Sequence, residues 1–309
     1  MAPATTRLTI HVLFTLDCES IAIRTAKEGP RTWEQSARAI EGYANRLLRA
    51  GCPPTLFLSP QCAVEHTPLL EELAERGAEL GLYVNPLQAE SGSYRNLLGT
   101  LAPEAQRRLI DEAAERFADA TGVRPRSFRP CKHSANGDTY RLLYELGFRQ
   151  GSIAQPGFVL PRIGVDWRRV AHYPRYVDSY HHERSGDLPF LDVPVTTDPD
   201  QRQITNQPYE LRIEAGTFEA LHRPVIDRAI ERMVEDAAPF CTLCFTSDNR
   251  PAYDNDDDKH SRTLEAILDY LEMLRERHDL VPVTLAGAHD QFRTLRRMAG
   301  VSQECEQAL

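Results

Sequence analysis

Leu8-Thr9-Ile10-His11-Val12-Leu13-Phe14-Thr15-Leu16 is an apolar run rich in β-branched residues, and it leads straight into the polar triplet Asp17-Cys18-Glu19. Such side chains fit a pleated, buried surface, so the run reads as a strand. It falls well short of the roughly 20 apolar residues a membrane span needs. The preceding Met1-Ala-Pro-Ala-Thr-Thr-Arg7 lacks the basic n-region and cleavage site of a signal peptide. The run is therefore the expected first strand of the fold, with Asp17–Glu19 at its C-terminal end.

Downstream of it, short β-rich runs alternate with amphipathic helical patterns. Trp33–Arg49 reads as a helix, with Ile40, Ala44, Leu47 and Leu48 on one face. Thr55–Leu58 and Glu79–Val84 read as strands, and Thr67–Arg76 between them as a helix that Thr67 caps and Gly77 stops. Pro103–Thr121 is a helix ended by Gly122, Ser127–Arg129 a strand end, and Asp138–Leu146 a helix before a strand at Phe148–Ile153. Strands are expected again at Leu191–Val195, Cys241–Thr246 and Val281–Leu285, and helices at Arg223–Ala237, Arg262–Glu276 and His289–Met298. Repeated β–α alternation gives a parallel sheet with helices outside. The expected fold class is α/β, a parallel (β/α) barrel of about seven units. One catalytic domain over 1–300 and a tail at 301–309 are expected. A doubly wound open sheet is the alternative, weakened because no G-x-G-x-x-G or P-loop follows the first strand.

The 309 residues carry 36 Lys+Arg against 45 Asp+Glu, a net charge of -9. Phosphate affinity comes from Lys and Arg, so no nucleic-acid partner is expected, and no membrane surface. Seven scattered cysteines suit reduced thiols in a cytoplasmic protein. Cys241 and Cys244 form a C-x-x-C, but on a strand residues i and i+3 face opposite sides, so they are not expected to share a metal. His181-His182 has no third ligand at recognisable spacing, and Asp254–Asp258 lacks calcium-loop spacing. Both are expected to be surface decoration.

In such barrels chemistry collects at the C-terminal ends of the strands. There the sequence places Asp17, Cys18 and Glu19; Tyr83 and Asn85; Arg129, Lys132 and His133; and Ser247, Asp248, Asn249 and Arg250.

Four stretches carry a family resemblance. Phe14-Thr15-Leu16-Asp17-Cys18-Glu19, Gly77-Ala78-Glu79-Leu80-Gly81-Leu82-Tyr83-Val84-Asn85-Pro86, Thr121–Pro125 running into Ser127-Phe128-Arg129-Pro130, and Leu191-Asp192-Val193-Pro194-Val195 follow one another in order. They resemble the motifs of the polysaccharide deacetylases, carbohydrate esterase family 4, over roughly residues 8 to 285. The resemblance implies an amide hydrolase. It also implies a first-motif Asp acting as general base, here Asp17, and an Arg that orients it, here Arg129. The family normally binds a divalent metal through an Asp and two His. Here Tyr83 and Asn85 stand in the His places, and Cys18 or Glu19 stands in place of the metal Asp. Tyr and Asn are poor zinc ligands, so no metal or other cofactor is expected. A divalent ion on Glu19, His133 and Asp248 is the non-standard alternative.

The expected catalytic set is Asp17, Arg129 and His133, and the substrate-binding set Glu19, Tyr83, Asn85, Lys132 and Asp248. Tyr83 and Asn85 alternate with Val84, so both are expected to face one pocket. Lys132, His133 or Tyr83 would polarise the carbonyl in place of a metal. The expected function is metal-free hydrolysis of a C–N amide bond in a small polar substrate, such as an N-acylated amino sugar or a cyclic amide. The alternatives are proton transfer by a repurposed isomerase, epimerase or lyase, and an inactive sugar-binding homologue. The expected partner is a small-molecule substrate, with a homo-oligomer left open.

Overall fold

A computed structural model of the chain describes residues 6–21, 29–89 and 94–300; the expected tail at 301–309 lies outside them. The strands are β1 (Thr9–Cys18), β2 (Thr55–Leu58), β3 (Glu79–Val84), β4 (Ser127–Pro130), β5 (Gln150–Gly151), β6 (Val159–Leu160), β7 (Val165–Asp166), β8 (Arg175–Val177), β9 (Leu188–Asp192), β10 (Thr197–Arg202), β11 (Pro208–Glu210), β12 (Cys241–Asp248) and β13 (Asp279–Pro282). The α-helices are α1 (Trp33–Arg49), α2 (Pro60–Glu65), α3 (Thr67–Glu75), α4 (Pro103–Thr121), α5 (Gly137–Glu145), α6 (Arg223–Glu235), α7 (Lys259–Leu274) and α8 (Leu285–Met298).

The main sheet runs β12-β1-β2-β3-β4-β5-β9-β8. From β12 to β9 every pairing is parallel, which makes the expected seven units. Two additions were not foreseen. β8 joins β9 antiparallel, and β13 pairs with the first half of β1, on residues 9–12, while β2 pairs with residues 15–18. β8 and β12 are the two ends of the path, so the sheet is a curled half-barrel. The irregular stretch expected at Pro156–Gly186 contains the β6–β7 hairpin and β8.

The apolar residues divide into two layers by strand alternation. Ile10, Val12, Phe14, Leu16, Cys18, Leu56, Leu58, Leu82, Val84 and Phe128 pack outward against the helices. Leu13, Phe57, Tyr83, Leu191 and Cys244 pack inside the curl. Cys241 belongs to the outer layer and Cys244 to the inner one, as the strand reading of C-x-x-C requires. β1 is buried at nine of its ten positions, which is why it reads as unbroken apolar sequence.

Local signals set most helix ends. The Thr32 hydroxyl accepts from Gln35 N–H to cap α1, and Gly122 at φ 72° closes α4. Thr67 does not cap α3: its hydroxyl donates back to the Ala63 carbonyl, because α2 runs almost directly into α3. Asp254–Asp257 and His181 are exposed, as expected, while Asp258 and His182 are half-buried and have structural roles. Asp258 caps α7, and Asp254 and Asp256 pair with Arg38 and Arg46 on α1. His182 lies edge-on to Trp167 at 5.3 Å.

Candidate active site

In the upper half of β1 the odd-numbered residues point into the curl and pass from apolar to polar: Leu13, then Thr15, then Asp17. Arg129 on β4 rises through this interior and is fully buried. Its Nη1 donates to Asp17 Oδ1 at 2.8 Å, to Thr15 Oγ1 at 2.9 Å and to Thr246 Oγ1 at 2.8 Å. Its Nε donates to the Ser152 carbonyl at 3.0 Å, and the guanidinium lies 4.5 Å from the Phe57 ring centre. A charge this deep needs a partner and hydrogen bonds; Arg129 has them on Nη1 and Nε, while Nη2 is buried with no hydrogen-bond partner among the described residues.

Above this pair opens a pocket of about 280 Å³, lined by Asp17, Glu19, Tyr83, Lys132, His133, Gln155, Glu210, Arg212, Asp248 and Arg250. Arg212, absent from the expected set, lies 3.7 Å from Asp17 Oδ2, so the carboxylate sits between two guanidinium groups. Arg212 Nε is also 3.3 Å from Glu210, which accepts from Gln155. Burial alone would loosen the proton on Arg212; Glu210, Asp17, Glu214 and Asp248 outweigh it and hold the side chain charged. The signal was present in Glu210-Leu211-Arg212-Ile213-Glu214, where charged and apolar residues alternate.

Asp248 sits beside Asp17 in the β1–β12 register and is clasped by Arg250, whose Nε donates to Oδ1 at 2.8 Å. Tyr83 donates its hydroxyl to Glu19 at 2.7 Å. Burial, with Cys131, Glu19 and Asp17 nearby, pushes the Tyr83 phenol well up, so it stays protonated.

His133 is buried, and its Nδ1 lies 3.0 Å from the Ile153 carbonyl. A carbonyl only accepts, so Nδ1 carries the proton. Burial, then Arg129 and Arg212, lower its pKa well below the usual value, so the ring is neutral and Nε2 is a bare lone pair. Nε2 has no hydrogen-bond partner among the described residues. This corrects the expectation that His133 polarises a carbonyl: Nε2 accepts and does not donate. Lys132 and His133 both have positive φ, 53° and 55°, which turns Lys132 out to solvent and His133 in. Non-glycine residues adopt that backbone at a cost, and such sites cluster where function holds them.

Asn85 does not join this group. β3 ends at Val84, and strand alternation ends with it. The Asn85 Oδ1 accepts from Leu87 N–H at 3.1 Å, capping the turn Pro86–Gln88, and the residue lines a different cavity. Cys18 faces the outer layer, where burial raises its thiol pKa, away from the pocket.

A further carboxyl lies beneath Asp248. Glu214 Oε1 accepts from Asp248 N–H at 3.0 Å and from the Ser247 hydroxyl, while Oε2 is buried with no partner among the described residues. Burial, with Asp248 beside it, raises its pKa to about 7.

The polysaccharide deacetylase profile matches residues 32–151, the stretch that builds β2 to β5 and carries Tyr83, Arg129 and His133. A protein from Mycobacterium smegmatis assigned to the polysaccharide deacetylases superposes with a TM-score of 0.61 at 14% identity, over 94% of this chain and 92% of its own. The chain has the polysaccharide deacetylase fold. A protein from Pseudomonas aeruginosa PAO1 of the same assignment gives 0.59 at 17% identity, over 95% and 93% of the two chains. An allantoinase gives 0.58 at 14%, over 92% and 90%. No curated protein matches the sequence.

Polysaccharide deacetylases usually hold a divalent metal, and the residues present here do not fit one. The Tyr83 hydroxyl is protonated and spent on Glu19, Asn85 Oδ1 is turned to a backbone N–H, and Cys18 faces the other side of its strand. Among the described residues no three of His, Cys, Asp and Glu are grouped as metal ligands. The positive charge beside Asp17 comes from Arg129 and Arg212 instead.

Proposed function

We propose that the chain is a polysaccharide deacetylase-like hydrolase that cleaves a C–N amide bond in a small polar substrate, an N-acylated amino sugar or a cyclic amide, without the family's metal. The observation that carries this reading is Asp17 held between Arg129 at 2.8 Å and Arg212 at 3.7 Å at the floor of a pocket. Asp17 takes a proton from water as the water oxygen attacks the carbonyl carbon. Arg212, with Lys132 at the rim, stabilises the oxyanion that forms, the part a metal plays elsewhere. The His133 Nε2 lone pair accepts a hydrogen bond from the water or from the substrate N–H. The C–N bond then breaks, and Asp17 returns the proton to the leaving nitrogen. One protein of this fold is an allantoinase, which extends the substrate list beyond polysaccharides.

The test is turnover of hydantoin and of N-acetylglucosamine by the parent protein and by Asp17→Asn. A general base contributes about 10²–10⁴-fold, so Asp17→Asn is expected to lose at least that much while remaining folded. Parent-like turnover in folded Asp17→Asn protein contradicts the assignment.

A further inference from the structure

A larger cavity lies at the opposite end of the sheet from the active-site pocket. Arg126 and Arg149 stand one residue before β4 and β5, at the N-terminal strand ends, whereas Asp17 lies near the C-terminal end of β1. Both arginines line a cavity of about 710 Å³, to which α8 adds Ala286, His289 and Arg293. Its volume is within the range of small-molecule pockets, about 300–1,000 Å³. Leu80, Val123, Tyr144 and Pro189 supply apolar surface.

Each carboxylate on the wall is already engaged. Glu79 accepts from the Thr55 hydroxyl at 3.1 Å, from the Ser127 hydroxyl and from the Ala286 N–H at 2.8 Å. Glu145 pairs with Arg107, and Asp290 with Arg293 at 3.1 Å. Arg124 is taken by Asp111 at 2.8 Å. His289 adds no charge: burial, then Arg293 with Arg126 and Arg149, lower its pKa to about 4 against the pull of Asp290. Arg126 and Arg149 remain, with no carboxylate partner among the described residues. They are neighbours, since Arg149 N–H donates to the Arg126 carbonyl at 2.9 Å. Arg149 is braced by its Nη1, which donates to the Tyr144 and Phe148 carbonyls at 3.1 and 2.8 Å, and by the Tyr144 ring at 4.6 Å. Its Nε and Nη2 make no hydrogen bond among the described residues; Arg149 is half-buried and Arg126 exposed, so both can be reached from the cavity. Like charges held side by side repel, and an anion between them removes that cost.

We propose that this cavity is a second binding site, at the far end of the sheet from Asp17, for a phosphate group, free or carried on a small molecule, held between Arg126 and Arg149. Guanidinium forks match phosphate oxygens with paired, charge-assisted hydrogen bonds. The cavity is larger than a phosphate needs, and Tyr144 and Pro189 offer a surface for the body of a phosphorylated molecule. The proposal needs no turnover and stands whether or not the amide-hydrolase reading does.

The experiment titrates the full chain with inorganic phosphate and with glucose 6-phosphate and reads binding by calorimetry. At least one probe is expected to bind saturably, at one site per chain. Tighter binding of glucose 6-phosphate assigns the site to a phosphorylated molecule, and equal or tighter binding of inorganic phosphate assigns it to the free ion. Arg126→Gln and Arg149→Gln are each expected to weaken that binding by about tenfold or more. Arg126 is exposed, so its variant is expected to fold, and Arg126→Glu repeats the test with reversed charge should the Arg149 protein fold poorly. Arg262→Gln, at an exposed position of α7 outside the cavity, is expected to leave binding unchanged. Failure of both probes to bind overturns the proposal. So does binding that survives the Arg126 and Arg149 substitutions, or that falls as much in Arg262→Gln, which is diffuse attraction to the surface. Binding lost in Arg212→Gln but kept in Arg126→Gln would place the phosphate in the active-site pocket and also overturn it.

Discussion

Arg212 lies 3.7 Å from Asp17 Oδ2, while Arg129 holds the other oxygen, Oδ1, at 2.8 Å. The two cations differ in exposure: the Arg129 side chain is wholly buried, whereas 23% of the Arg212 side chain is exposed at the pocket. Arg129 can only orient the carboxylate, and Arg212 can also reach a substrate. Losing one preorganised oxyanion donor costs about 10²–10³ in kcat. Arg212→Gln is expected to lose that much in amide hydrolysis. Arg212→Lys is expected to recover only part, because a point charge does not replace a planar fork. Steady-state kinetics on the folded variants checks both.

His133 is expected to remain a neutral ring with its proton on Nδ1 from pH 8 down to well below pH 6.5. Burial and the two arginines hold its pKa low. The unfolded chain takes up a proton near pH 6.5 that the folded chain refuses, so this residue makes stability fall as pH drops below about 6.5. Imidazole ¹⁵N shifts across that range read the tautomer directly; a protonated Nε2 near neutral pH would restore His133 as a donor.

Much of this was legible in the residues themselves. The β–α alternation gave the seven parallel units, and the polar residues after each strand gave Asp17, Arg129, His133 and Asp248. Arg212 was not found, because it lies just past the end of the short β11 (Pro208–Glu210), a strand that the sequence pattern did not place. Asn85 was misplaced because alternation was carried one residue beyond the end of β3. The His133 role was misread because ring protonation depends on the Ile153 carbonyl, a contact across 20 residues that no local pattern encodes. The half-barrel follows from β8 and β12 ending the sheet without pairing to each other, which strand spacing alone does not reveal.

Glu214, with a pKa raised to about 7, stays protonated in the folded protein where the unfolded carboxyl has already ionised. The folded state then binds more protons between about pH 4.5 and 7, so stability falls as pH rises through that window. The shift corresponds to about 3 kcal/mol lost by pH 8, to order of magnitude. Glu214→Gln keeps the shape without the charge and is expected to flatten this slope and to be more stable than the parent at pH 8. Urea unfolding at pH 5 and pH 8 gives the comparison.

Asp192 supports the site from behind. Its Oδ1 accepts from Ile153 N–H at 3.0 Å, and Oδ2 accepts from Tyr140 at 2.8 Å and Arg175 at 3.0 Å, all buried. It thereby fixes the segment whose carbonyls hold Arg129 and His133. Asp192→Ala leaves Arg175 buried without its partner and is expected to cost about 3–5 kcal/mol. Denaturant midpoints measure that loss; a change near zero would mean the ion pair is not formed in solution.

In the proposed reaction the Arg129 and Arg212 guanidinium groups, not a metal, supply the positive charge beside Asp17. The most direct measurement is the amide-hydrolysis rate of protein stripped with a strong chelator, before and after zinc is returned. The expected result is the parent rate in the stripped protein, with no gain on adding zinc. A rate that collapses on stripping and returns with one equivalent of zinc would contradict it.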